Sequence, residues 1–261
     1  VAIDDARAKA LDEYMRAGGA VVMMSEPSYY GVENFTALMN PFLSHYGAKL
    51  SGEIPYDPEH EFTDDRVLQY RFFTTSNLKK DSPVTAGIDQ LIFPLDNAYH
   101  YVQTYSMELD DSWDVLVKGE ASAITSPRQA LLAGKPEAGL WKSAPPLLAV
   151  RDVGKGKLAI LASSSRYFLY DAFHWAVSSG LVLEKGNGLK LLTQLFAFVS
   201  TNRDGLHGAA PERRMSAGKV SPRSSVLSSP GMQLISSASP VRSSGMGLWY
   251  KVRSASPPQG V

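Results

Sequence analysis

The sequence predicts an α/β domain whose sheet is mostly parallel and closes with a late β-hairpin. Three observations carry this. A helix-periodic run ends in Gly18-Gly19 directly before the apolar run Ala20-Val21-Val22-Met23-Met24. Two strand-like runs flank Gly154-Lys155-Gly156, and a last run with helical period covers residues 188–199. Helices alternating with continuously apolar strands are the pattern of a sheet covered on both faces.

Residues 4–17 predict the first helix. Asp4 or Asp5 can cap it, and Ala10, Leu11, Tyr14 and Met15 form an apolar stripe at helical spacing. Gly18-Gly19 ends it, because glycine takes the left-handed terminal conformation without steric cost. The strand that a complete βα unit would place before this helix is absent, so the chain is expected to be an N-terminally truncated piece of a longer one. Asn34 to Tyr46 predicts a second helix through Phe35, Leu38, Met39, Phe42 and Leu43. Pro41 within it is expected to kink it, or to start a new helix capped by Asn40.

Residues 53–65 read as an acidic loop, and Val67 to Thr74 as a strand rich in β-formers. Short strands are expected near Tyr99–Tyr105 and Val115–Lys118. Pro145 to Asp152 and Lys157 to Ala162 are the two arms of the hairpin, with glycines where its turn needs positive φ. Residues 206–261 are rich in Ser, Pro, Gly and Arg with scattered apolar residues. Such a segment cannot offset an ordering entropy of roughly 1–2 kcal/mol per residue. The expected organisation is therefore a domain over 1–205 and a disordered tail over 206–261.

Hydrophobic residues make up 44% and charged residues 20% of the chain, enough for a sizeable core. Basic and acidic side chains balance at 26 each, which gives no electrostatic pull toward nucleic acid. The balance hides an asymmetry: the tail has seven basic residues and one acidic residue, leaving 19 and 25 in residues 1–205. The absence of cysteine excludes disulfides, thiolate metal sites and any cysteine nucleophile. No run approaches the roughly 20 apolar residues of a membrane span. No cofactor is expected, and the compartment, cytoplasmic or periplasmic, stays open.

Four pieces in order carry a resemblance: LDEYMRAGGAVVMM (11–24), ALMNPFLSHYGAKL (37–50), SPVTAGIDQLIFP (82–94) and LLAVRDVGKGKLAILASSSRYF (147–168). With the closing helix GNGLKLLTQLFAFV (186–199), the chain resembles bacterial proteins of the class I glutamine-amidotransferase-like superfamily, which includes ThuA-like proteins. The resemblance implies a flavodoxin-like three-layer sandwich. It covers most of residues 4–200, and its motifs are structural. The family's amidotransferases use a cysteine on a strand-to-helix turn with histidine and glutamate partners. This chain has no cysteine and no substitute elbow, so glutamine amidotransfer is not expected.

Ligands in open α/β sheets bind beyond the carboxyl ends of strands. Ser25-Glu26 and Ser163-Ser164-Ser165-Arg166 stand at two such ends. Together they could hold a small polar ligand through hydroxyls and a guanidinium, or the serines could simply cap the next helix or turn. Tyr170, Asp171, His174 and Trp175 could form a carbohydrate platform or an acid/base pair, with His174, Asp171 and Glu26 as catalytic candidates; a packed histidine among aromatics is the plainer alternative. His100, between Tyr99 and Tyr101, is read in the same two ways. Asp57, His60 and Glu61 could hold a hard cation, or form a solvated loop.

These readings favour a non-catalytic ligand-binding or interaction module of a larger protein, with a small molecule or a protein as partner. A carbohydrate-processing enzyme, as the ThuA-like resemblance implies, and a structural subunit of an assembly are the alternatives.

Overall fold

Asp4 starts the first helix as its residue type requires: its carboxylate accepts the Arg7 amide at 2.9 Å, and α1 runs Asp5–Arg16. The computed structural model of the 261-residue chain describes residues 3–25, 35–62, 71–97, 102–164 and 187–201. Gly18 turns the chain out of α1 with φ of +108°, and β1 follows at Ala20–Ser25. Within β1, Val21, Met23 and Ser25 are buried while Ala20, Val22 and Met24 are half-buried.

The second helix, α2 (Phe35–Ser44), is a single helix that contains Pro41. Asn40 does not cap a new one. Its side-chain amide instead brackets Leu50, accepting the Leu50 amide at 2.8 Å and donating to its carbonyl at 3.0 Å. Gly47, at φ of +63°, turns the chain into β2 (Ala48–Leu50). The acidic loop expected at 53–65 is corrected: Glu53–Tyr56 is a strand, β3, and Glu61–Phe62 is β4, with a turn between them. Ile54 and Pro55 are buried, so the strand is set by its apolar residues, while the carboxylates gather at the turn.

Then come β5 (Phe72–Thr75), β6 (Leu91–Pro94), β7 (Asp96–Asn97), β8 (Val102–Gln103), β9 (Met107–Leu109), β10 (Asp114–Lys118) and β11 (Ile124–Pro127). A short helix α3 (Arg128–Leu132) precedes the long hairpin β12 (Pro146–Val153) and β13 (Gly156–Ser164), and α4 spans Gly188–Ser200. The expected hairpin and final helix are thus where their patterns place them. Residues 63–70, 98–101 and the tail expected at 206–261 lie outside the described residues.

The central sheet has the order β1-β13-β12-β10. Among the described residues only β1 and β13 run parallel; β13 with β12 and β12 with β10 are antiparallel. The expected mostly parallel sheet is therefore corrected to a mixed one. The physical reason lies in the two-residue turn Gly154-Lys155. It folds β12 back along one edge of β13, so only the other edge remains for a parallel neighbour.

Because side chains alternate along a strand, β13 feeds two cores. Leu158, Ile160 and Ala162 join Met15 of α1 and Phe42 and Leu43 of α2. Ala159 and Leu161 join Leu191, Leu192 and Leu195 of α4, together with Phe72, Phe73 and Phe93. Both faces of the sheet are covered, which is why Leu158–Ala162 is apolar without interruption. Each fully buried Leu, Ile or Phe stabilises by roughly 1.5–3 kcal/mol. Among the described residues, no helix is long and apolar enough to cross a membrane.

The two glycine motifs of the sequence meet in space. The Lys155 amide donates to the Arg16 carbonyl at 3.3 Å and the Lys157 amide to the Gly19 carbonyl at 3.2 Å. A Cβ on Gly156 would run into the carbonyl oxygens of Gly19 and Met15, so the hairpin turn docks against the end of α1 only because that position carries no side chain. This clasp sets the level of β1 beside β13, and with it the alignment of their carboxyl ends.

Candidate functional site

Those carboxyl ends are polar where the residues just before them, 20–24 in β1 and 158–162 in β13, are apolar. Met24 faces Leu161 in the parallel ladder, but the next pair is Ser25 with Ser164, so Ala162 and Ser163 form a bulge. The bulged residues find partners on the opposite edge: the Tyr105 amide donates to the Ala162 carbonyl at 2.7 Å, and Thr104 bridges Ser163. The hydroxyls of Thr104 and Ser163 lie 3.0 Å apart. Next to them, the Tyr105 hydroxyl donates to the Gln103 side-chain oxygen at 2.5 Å.

Ser25, Ser163, Ser164, Thr104 and Gln103 are all buried. One of them has no hydrogen-bond partner among the described residues: the hydroxyl of Ser25, enclosed at 0% exposure. A buried hydroxyl without a partner costs about 1–3 kcal/mol, so native chains rarely leave one. The sequence reading grouped Ser25 with Ser163 and Ser164, and the ladder sets Ser25 opposite Ser164. It missed Thr104, which comes from a remote segment and has no local signature.

The other residues expected at this end, Glu26 and Arg166, lie outside the described residues. So do Tyr170, Asp171, His174 and Trp175, and also His100.

Asp57 and His60, expected as cation ligands with Glu61, form a different centre. The buried Asp57 carboxylate accepts the Glu59 amide at 3.1 Å and the Ser122 hydroxyl at 3.0 Å, and lies 2.9 Å from His60 Nδ1. Glu61 points elsewhere and pairs with Arg71, whose Nη2 donates to it at 2.7 Å. The three therefore do not converge, and no group of three His, Asp or Glu ligands does so among the described residues. Ser122 lies 3.2 Å from the same His60 Nδ1 that faces Asp57. This is not the wiring of a serine hydrolase, in which serine and aspartate take opposite nitrogens of the ring.

Glu120 completes the centre. Burial raises its carboxyl pKa, but the Ser76 amide and hydroxyl, the charge of His60 and the Thr75 hydroxyl outweigh that and hold it below the usual glutamate value. Neither Ser122 nor Glu120 was legible as a partner of a histidine some 60 positions away.

No family model matches the chain, and no curated protein matches it. Among solved structures, the N-terminal domain of mmIFT52 is similar with a TM-score of 0.48 and 15% identity, covering 76% of this chain and 72% of that one. The cytoplasmic protein STM1381 from Salmonella typhimurium LT2 follows at 0.42 and 14%, covering 75% and 61%. A beta-galactosidase from Rahnella sp. R3 gives 0.32 and 11%, covering 74% and 21%. None of the three is described as amidotransferase-like, and at this level of likeness they assign no reaction, ligand or partner to this chain.

Proposed function

We propose that the chain is an amidotransferase-like domain without amidotransferase chemistry, serving a larger protein as a module that binds a small polar ligand beyond β1 and β13. The observation that carries this is the enclosed Ser25 hydroxyl with no partner among the described residues, opposite Ser164 and beside the Ser163–Thr104 pair. A ligand oxygen or nitrogen admitted past the atoms that cover it would satisfy it. The groups assembled there are hydroxyls, which donate and accept hydrogen bonds without titrating near neutral pH, and so suit recognition.

The flavodoxin-like kinship is part of the same proposal. Its support is the order of α1, the Gly18-Gly19 turn and β1, and the late hairpin that packs β13 beside β1. The missing cysteine separates the chain from amidotransferases within that kinship.

Thermal unfolding of the whole chain against sugars, nucleotides, amino acids and divalent metals tests the reading. A ligand at a hundred times its dissociation constant adds about 2.7 kcal/mol. Each kcal/mol moves the midpoint of a domain this size by roughly 2–4 °C. The expected result is a compound that raises the midpoint for the native chain and does so far less for Ser25→Ala. A shift that Ser25→Ala leaves intact would place the ligand elsewhere and refute the site.

A further inference from the structure

We propose that Asp57 and His60 form an oriented carboxylate–imidazole dyad that takes a proton from water in the hydrolysis of a small uncharged ester. This goes beyond ligand binding and concerns a different place in the fold. Both dyad residues lie in the turn 57–60 after β3; Ser122, from the segment after β10, bonds Asp57, and Glu120 of that same segment is held by Thr75 and Ser76 at the end of β5.

Its geometry is that of an aimed base. Asp57 is 1% exposed and its carboxylate is fixed by the Glu59 amide and the Ser122 hydroxyl, so it can move little. A carboxylate 2.9 Å from Nδ1 favours the neutral tautomer that donates from Nδ1 and leaves the Nε2 lone pair to accept a proton. Nε2 makes no hydrogen bond among the described residues, and the His60 side chain is 39% exposed, so water reaches it. Ser122 is not the nucleophile, because it shares the Nδ1 side of the ring with Asp57.

Charge selects the substrate class. Asp57 behind the ring and Glu120 beside it place two carboxylates at the centre, and Glu120 is held in its ionised form. A phosphate or carboxylate substrate would be repelled; an uncharged ester would not. In the reaction, Nε2 accepts a proton from water as the water oxygen bonds to the acyl carbon and the carbonyl electron pair moves to oxygen. As that pair returns, the ester C–O bond breaks and the imidazolium gives its proton to the leaving alkoxide. Water and ester become acid and alcohol, and His60 ends as it began.

The test measures hydrolysis of p-nitrophenyl acetate by the intact chain, with mono-p-nitrophenyl succinate as the anionic counterpart. His60→Gln should lower the rate by about 10²-fold or more and abolish a solvent deuterium isotope effect seen in the native chain. Asp57→Asn should lower kcat at least about tenfold with KM little changed, because it turns the ring to the wrong tautomer. The neutral ester should react faster than the anionic one. Equal rates for His60→Gln and the native chain would overturn the proposal, as would a preference for the anionic ester. Should Asp57→Asn fail to fold, the partly exposed His60→Gln and the isotope effect decide alone.

Discussion

Gly156 shows how much one residue can determine. Its missing Cβ lets the hairpin turn lie against the Met15 and Gly19 carbonyls, which are backbone and cannot swing aside. Gly156→Ala is expected to destabilise the domain by about 1–3 kcal/mol or more, the range for forcing extra volume into packed structure, and denaturant unfolding measures it. Glu120 gives a pH dependence. Its folded pKa is depressed, so its contribution is complete above the ordinary value of 4.5 and is lost as pH falls through the lower folded value. Glu120→Gln should flatten the stability profile below that point. An unchanged acid limb in the variant would count against the Ser76 and His60 contacts as its source.

At the level of elements, local pattern is enough wherever one stretch of chain decides its own structure. The Asp4 cap, the apolar stripe ending in Met15, the Gly-Lys-Gly turn and the Leu-rich α4 are all readable in sequence, because capping, helical period and positive φ are properties of neighbours. Asp4→Ala is accordingly expected to cost about 1 kcal/mol, through loss of its bond to the Arg7 amide. Leu195→Ala, at a position with no exposure between α4 and β13, should cost about 2–5 kcal/mol. Equilibrium unfolding measures both. Strand partnership is what the sequence does not show. The apolar run 20–24 could face a parallel or an antiparallel neighbour, and a continuous apolar run does not state how many strands beside it run the same way. The turn at 57–60 reads as loop because its carboxylates dominate the composition, while the buried Ile54 and Pro55 make the stretch before it a strand. Ser122 and Thr104 are illegible for a further reason: each meets its partner across about 60 residues of chain.

For the molecule as a whole, the clasp between α1 and the hairpin turn aligns β1 with β13, and that alignment brings Ser25 level with Ser164. The consequence is an enclosed hydroxyl without a partner among the described residues, a local cost of the kind kept where function needs it. The most direct measurement is the unfolding free energy of Ser25→Ala against the native chain, with no ligand added. The variant is expected to be more stable, by about 1 kcal/mol, because it removes a buried polar group that has no partner among the described residues. A variant destabilised by that amount or more would mean that Ser25 already has a partner in the folded chain, and would contradict the site.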